Sequence, residues 1–571
     1  MKEQLPLIQF QNFSFQYRAQ KAPTLHDINL SVYAGEKVLI VGPSGSGKST
    51  LAHCINGLIP FNYKGRMEGS LKVMGKETRE MDMFALSKVV GTVLQDPDGQ
   101  FVGLTAGEDI AFSLENSAVP QGEMIPRVQA SADKVGVGGF LAHSPFDLSG
   151  GQKQRVSLAG VLIDRVKVLL FDEPLANLDP ATGKQAIELI DDLMESENAV
   201  IIIEHRLEDV LHRKVDRVIL MDEGRILADM PPDKLLSMAL LKKSGIREPL
   251  YLTALKYAGL PIHEAMRPGS MDTLILTEEA CARVRAWFFK ADKTAKKKKG
   301  TPLLTAEGLS FRYDLHSEAL HDVSFSVLKG EMTAIVGTNG AGKSTLAKLI
   351  CGFEKPCGGR VLLNGADLAP LNIAKRAAHI GYVMQNPNQM ISKTMIYDEV
   401  AMGLQSLALP DDEMRERVEN TLKICGLYPF RNWPVSALSF GQKKRVTIAA
   451  VLVMSPEVII LDEPTAGQDF RHYTDIMEFL RGLNQQGVTV LMITHDMHLM
   501  LEYAARTLVF SGGRLIKDTS PAAALTDGML IKEASLKETS LFALAQKAGI
   551  EDTTAFVQRF IDRDREVSGR E

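Results

Sequence analysis

The chain repeats itself, and that repeat limits its possible folds more than any single motif does. The stretch GPSGSGKST at 42–50 returns as GTNGAGKST at 337–345, 295 positions later. LSGGQKQR at 148–155 returns as LSFGQKKR at 438–445, FDEP at 171–174 as LDEP at 461–464, and His205 as His495, each 290 positions later. The five-residue difference arises where the first copy carries the longer insert IPFNYKGRMEG and the second reads EKPCGG. At roughly 100–200 residues per domain, a chain of 571 residues suggests three to five compact units, and the repeat groups most of them into two large copies.

Each copy carries a glycine-rich loop between an apolar strand and a helical stretch. In the first, Lys37–Val41 precedes Gly42, Pro43, Ser44, Gly45, Ser46, Gly47, Lys48, Ser49 and Thr50. In the second, Met332–Val336 precedes Gly337, Thr338, Asn339, Gly340, Ala341, Gly342, Lys343, Ser344 and Thr345. The glycines let backbone N–H groups turn toward a phosphate, and the following helix points its positive end at the same anion. The lysine reaches the outer phosphates, and Ser49 or Ser344 offers a hydroxyl to Mg²⁺. A second apolar strand in each copy ends in two acids, Asp172 and Glu173 after Val168–Phe171, and Asp462 and Glu463 after Val458–Leu461. Ligands of parallel α/β sheets lie at the carboxyl ends of strands. The first acid is therefore expected to hold Mg²⁺, and the second to orient or deprotonate a water.

With LSGGQ at 148–152 added, the chain resembles the ATP-binding cassette (ABC) superfamily over nearly its whole length. The resemblance implies an α/β fold of two tandem P-loop NTPase (RecA-like) cassettes, each with an antiparallel β subdomain and an α-helical subdomain, plus short helical C-terminal tails. It implies ATP hydrolysis with ATP and Mg²⁺, and an intramolecular pairing of cassettes. The signature of one cassette would then close on the nucleotide of the other: Ser149, Gly150, Gly151 and Gln152 over the site of Lys343, and Ser439, Phe440, Gly441 and Gln442 over that of Lys48. Tyr17 and Tyr313 resemble the aromatic that stacks on adenine, with a half-buried strand position as the alternative. Gln95 and Gln385 resemble the glutamine that senses Mg²⁺ and the attacking water. His205 and His495 resemble the switch histidine, and Asp179 and Asp469 the loop joining the two sites. Phe440 stands where the first copy has Gly150, a departure that leaves room for unequal sites.

The stretch QDPDGQF followed by LTAGEDIAF, matched by QNPNQM and TMIYDEVAMG, is similar to the ATPases of energy-coupling-factor (ECF) importers. INGLIPFNYKGRMEG is most similar to the thiamine or hydroxymethylpyrimidine branch. The partners implied are integral membrane transporter subunits, both transmembrane and substrate-binding, met at the cytoplasmic face. A tandem-cassette translation factor on ribosomes is the rival; the matched tails and the lack of a long charged arm argue against it. The net charge of -5 offers no global basic field, so no nucleic acid partner is expected. The N-terminus lacks a signal-peptide pattern, and no apolar run approaches the ~18 residues of a membrane span.

The domains read as cassette 6–245, helical tail 246–265, linker 266–302 with Lys296–Lys299 near its end, cassette 303–535 and helical tail 536–571. Each tail is either a helix packed on its own cassette or a dimerisation element. The lysine run is solvated linker or a contact for acidic lipid. The five cysteines form no CxxC pair, which indicates a reducing compartment.

Overall fold

In the computed structural model of the chain, the described residues are 5–95, 97–176, 178–194, 196–290, 300–313, 318–407, 409–465 and 468–569. They fall into two compact units, 1–283 and 284–571. The expected Lys296–Lys299 run lies outside the described residues.

In the first unit a six-stranded sheet runs in the order Arg225–Met230, Arg217–Asp222, Lys37–Val41, Ala199–Ile203, Val168–Asp172, Val90–Val93. All neighbours are parallel except the first pair. Lys37–Val41 is buried along its whole length, and Leu39 sits between Ile202 and Val218. Strands buried on both faces need near-continuous apolar runs, which is what the sequence supplies. The second unit repeats this sheet as Ile380–Val383, Val458–Asp462, Thr489–Ile493, Met332–Gly337, Arg506–Ser511, Arg514–Thr519.

A four-stranded antiparallel sheet accompanies each. In the first unit it is Leu25–Val32, Ile8–Tyr17, Gly65–Val73 and Lys76–Glu77. One face of Ile8–Tyr17 sends Phe10, Phe13 and Phe15 into a core shared with Leu51 and Ile55 of the loop helix and with Val38, Ile40 and Ile201 of the large sheet. The β subdomain thereby fixes where the loop helix lies. The helical subdomain comprises Ala106–Asn116, Gln121–Lys134 and Gly150–Leu162 in the first unit. In the second it comprises Ile396–Ala401, Asp411–Ile424 and Phe440–Leu452, around Val400, Val418, Leu422 and Val446. Among the described residues no helix is long and apolar enough to cross a membrane.

Both tails contain helices. Leu250–Tyr257 buries Leu250, Tyr251, Leu252, Ala254 and Leu255, and the Leu250 amide donates to Glu208 at 2.9 Å. Ser540–Lys547 and Thr553–Val567 bury Leu541, Leu544, Phe556, Val557, Phe560 and Ile561. Arg565 donates to the carbonyls of Leu501, Glu502 and Ala504 at the end of the helix Met497–Tyr503. The stretch 266–302, expected to be linker, is corrected: it contains the helix Glu278–Phe289. Its apolar residues Cys281, Val284 and Phe288 recur at helical spacing. Within the second unit Arg285 donates to the Ala548 carbonyl at 2.9 Å. The rings of Trp287 and Phe288 lie 5.6 and 6.0 Å from Phe556.

Cys54, Cys281, Cys351 and Cys425 are buried, while Cys357 is exposed. Burial pushes the Cys54 thiol far up and those of Cys351 and Cys425 up to about 12. A disulfide reagent at pH 8 is therefore expected to label Cys357 alone in the folded chain, and the other four only in denaturant. A second fast-reacting thiol would contradict this packing.

Candidate functional site

The two loops are built alike. The loop helices are Lys48–Ile55 and Lys343–Cys351, and the glycines that start them, Gly47 and Gly342, take φ of 97° and 88°. A Cβ on Gly42 would stand 2.3 Å from the Met221 carbonyl oxygen, and one on Gly337 1.9 Å from that of Phe510. Only glycine fits at these positions. Lys48 is buried, and its Nζ donates to the carbonyls of Gly42 and Pro43 at 2.8 and 2.9 Å. Lys343 does the same to Gly337 and Thr338 at 3.0 and 2.8 Å. Ser44, Gly45, Asn339 and Gly340 form exposed lips, with Ser46 and Ala341 buried beneath. Loops of this shape present main-chain N–H groups and a helix start to a phosphate.

Thr50 and Thr345 tie each loop helix to an aromatic. The Tyr17 hydroxyl lies 3.2 Å from Thr50 Oγ1, and that of Tyr313 3.1 Å from Thr345 Oγ1. Each ring packs edge-on against a buried phenylalanine, Phe15 at 4.8 Å and Phe311 at 4.9 Å. The surroundings then diverge. Tyr63, from the longer insert, stands edge-on to Tyr17 at 6.2 Å and stacks on His53. Lys348 lies over the Tyr313 ring at 5.9 Å.

The acids lie at the carboxyl ends of their strands, and Glu173 and Glu463 both adopt left-handed backbone, φ 50° and 44°. Non-glycine residues held there concentrate at functional sites. Both are pinned by the same contact, the amide donating at 2.9 Å to the carbonyl of Ile203 or Ile493. The carboxylates differ in their partners. Glu173 accepts from Gln95 Nε2, and its Oε1 is 2.8 Å from His205 Nε2. Burial would raise Glu173, but the hydrogen bond and charge of His205 win and hold its carboxyl below the usual range. In the second unit His495 Nε2 is 3.4 Å from Glu463 Oε1. There burial, reinforced by the charge of Asp462, pushes Glu463 up to about 8.

The metal candidates diverge too. Asp462 Oδ2 accepts from Ser344 Oγ at 3.0 Å and from the Tyr382 hydroxyl at 2.9 Å. Asp172 Oδ1 is buried without a hydrogen bond, and burial followed by the charge of Glu173 raises this group to about 6. A hydroxyl on a carboxylate in the second unit, and an orphaned carboxylate oxygen in the first, both fit Mg²⁺. No described cluster of three or more His, Cys, Asp or Glu is set to hold a metal by itself. That suits a cation that keeps few protein ligands and takes the rest from phosphate and water. Gln95 and Gln385 are exposed at the rim.

The signature residues start a helix in each unit. Ser149 and Ser439 are N-caps with complete capping boxes, each exchanging hydrogen bonds with Gln152 or Gln442. Ser149, Gly150, Ser439 and Phe440 are exposed. Gly151 and Gly441 face the following helix: a Cβ on Gly151 would approach Thr182 Cγ2 to 2.7 Å, and one on Gly441 would touch Gln468 and His472. Asp179 and Asp469 cap those helices, accepting from the amides of Thr182 and His472 at 2.9 and 2.8 Å.

Three residues of this neighbourhood escape motif reading. Tyr382, which holds Asp462, is matched in the first unit by Thr92, whose buried hydroxyl has no hydrogen bond. Glu204 accepts from the amides of Leu175, His205 and Arg206, and Arg206 reaches the Leu175 carbonyl. This clamp steadies His205; the second unit has Thr494 and Asp496 instead. The signal lay in differences between the copies, whereas motif matching follows identities.

A family model described as ABC transporter matches residues 25–176 and 320–466. Another, described as ATP-binding cassette cobalt transporter, matches residues 238–311, including the corrected helix. Proteins of Enterococcus faecalis and Clostridium perfringens, both named as ABC transporter ATP-binding proteins, are 57% and 55% identical to this chain over 566 and 564 residues. These matches span 98% and 99% of this chain and 99% of each relative. One of Vibrio parahaemolyticus is 51% identical over 98% of this chain and 96% of its own length. The chain therefore belongs to the ABC transporter ATP-binding proteins, ATPases, with two cassettes in tandem.

Proposed function

We propose that the chain is the energy-coupling subunit of a membrane importer of the ECF type, and that both of its nucleotide sites hydrolyse ATP. The observation that carries the hydrolytic reading is the recurrence in each unit of a buried lysine held to its own loop and a pinned left-handed glutamate facing a histidine. The ECF type rests on the paired QDPDGQF and QNPNQM segments and on the likeness to the cobalt-transporter family. A metal ion is thus the first cargo to test, with a vitamin or vitamin precursor of the thiamine branch next. Tagged chain purified from detergent-solubilised membranes should bring down integral membrane subunits and carry labelled cobalt or thiamine uptake when reconstituted with them. Recovery on ribosomes instead would sink the reading.

In the proposed cycle the loop amides and Lys48 or Lys343 bind the phosphates of ATP. Tyr17 or Tyr313 supports the base. Ser49 with Asp172, and Ser344 with Asp462, hold Mg²⁺, which when bound offsets charge on the outer phosphates. Glu173 and Glu463 take the proton of the attacking water through a carboxylate oxygen. His205 and Gln95, or His495 and Gln385, orient that carboxylate and the water. The exposed signature starts, Ser149–Gln152 and Ser439–Gln442, close on the γ-phosphate held by the other cassette. Closure then follows ATP occupancy because only the closed pair makes those contacts.

Replacing both general bases, Glu173→Gln with Glu463→Gln, is expected to lower phosphate release by about 10²-fold or more while the chain still retains ATP through gel filtration. Normal turnover would refute these roles. The single variants separate the sites by pH. A base works ionised, so a carboxyl raised to about 8 loses activity as pH falls below 8, and one held below its ordinary range does not. Glu463→Gln, which leaves Glu173 working, is expected to keep its rate down to pH 6. Glu173→Gln, which leaves Glu463 working, is expected to lose roughly tenfold per pH unit below 8. Superimposable profiles would refute the difference.

A further inference from the structure

The second signature helix carries a buried cation with no part in the cycle above. Lys444, two positions after Gln442, is 1% exposed. Its Nζ donates to the Met384 carbonyl at 2.7 Å and to the Gln385 carbonyl at 2.9 Å. Taking an ammonium out of water is costly unless it is hydrogen-bonded and compensated. Burial accordingly lowers the Lys444 pKa to about 8 against the opposing pull of Asp462 and Glu463. A group placed at such cost beside the site glutamine calls for a reason.

The first unit supplies it by contrast. Its matching residue is Gln154, whose Nε2 donates to the Pro174 carbonyl, just past Glu173, and so braces the acidic turn. The glutamine segment there is held from within its own loop by Gln100, which accepts from the Leu94 amide at 3.2 Å and donates to the Thr92 carbonyl at 3.1 Å. The counterpart of Gln100 is Met390. Its sulfur accepts from the Met384 amide at 3.1 Å, but a thioether has no proton to donate. The second loop thus lacks the side-chain donor that Gln100 supplies, and its signature helix donates two and three residues further along, to the carbonyls of Met384 and Gln385. The pair Gln100 and Gln154 has become Met390 and Lys444.

We infer that Lys444 is a positioning residue for Gln385, tying the backbone of the glutamine segment to the signature helix of the second unit, so that displacement of that helix moves Gln385 directly. In the first unit the signature helix meets this segment further along, where Lys153 pairs with Asp98 at 2.8 Å, while Gln154, the residue matching Lys444, braces the acidic turn instead. This inference rests on the site role of Gln385 proposed above.

The test uses the full chain carrying Glu173→Gln, in which turnover comes from the second site. Lys444→Gln, which installs the first unit's residue, is expected to lower kcat about tenfold, as a misplaced catalytic group does, with KM for ATP within about twofold. Combined with Gln385→Ala it is expected to be no slower than Gln385→Ala alone, because both remove one function. Hydrogen exchange should quicken in peptides spanning 384–390 and stay unchanged in the rest of the second unit. Should Lys444→Gln fail to fold, Lys444→Met, which also removes both donated hydrogen bonds, is read in the same way. A kcat within twofold of the parent, or losses that multiply in the combined variant, would overturn the inference while leaving Gln385 in place. If Gln385→Ala itself leaves kcat unchanged, it is the site role of Gln385 that fails, and the inference falls with it.

Discussion

Lys48 and Lys343 each donate to two carbonyls of the loop that leads into them. A buried ammonium that ties a loop to itself fixes the path of the chain between a parallel strand and a helix start. The amides of that path then have nowhere to point but outward. The tyrosine is hydrogen-bonded to the threonine two residues past the lysine in both units, and in the second the serine directly after the lysine donates to the aspartate that precedes the glutamate. The β subdomain matters to chemistry mainly because its phenylalanine face packs on the loop helix.

Much of this was legible in the residues themselves. Glycine spacing has a steric cause, and the approaches to Met221 and Phe510 show that cause directly. Apolar strands ending in acid pairs come from the burial demands of a parallel sheet. Three features were harder to read. The left-handed glutamates depend on a backbone hydrogen bond from their amide to a strand some thirty residues away, and nothing local in FDEP or LDEP signals it. The helix Glu278–Phe289 sits in a segment judged by its neighbouring lysine run, although its apolar period was present. The contacts of Tyr382, Glu204 and Lys444 depend on tertiary proximity, and their trace in the sequence is divergence between copies.

That divergence follows a pattern. The first unit steadies its histidine and glutamate, through Glu204, Arg206 and the 2.8 Å contact to His205. The second steadies its aspartate through Tyr382 and Ser344, and holds its glutamine segment through Lys444 where the first uses Gln100. Two copies of one site can thus keep the same candidate residues while holding them by different contacts. The carboxyls differ as well: His205 outweighs burial and holds Glu173 low, while burial and the charge of Asp462 push Glu463 up.

Trp287 and Phe288 precede the lysine run in sequence, yet their rings pack against Phe556 near the far end of the chain. The natural place to divide this protein into separate cassettes is therefore not the charged stretch that looks like a hinge. A half-protein beginning at residue 300 would lack the aromatic cover of its own C-terminal helix and leave an oily face open to solvent. Dissection, tag insertion or fluorescent labelling of the second cassette alone has to start upstream of Val284.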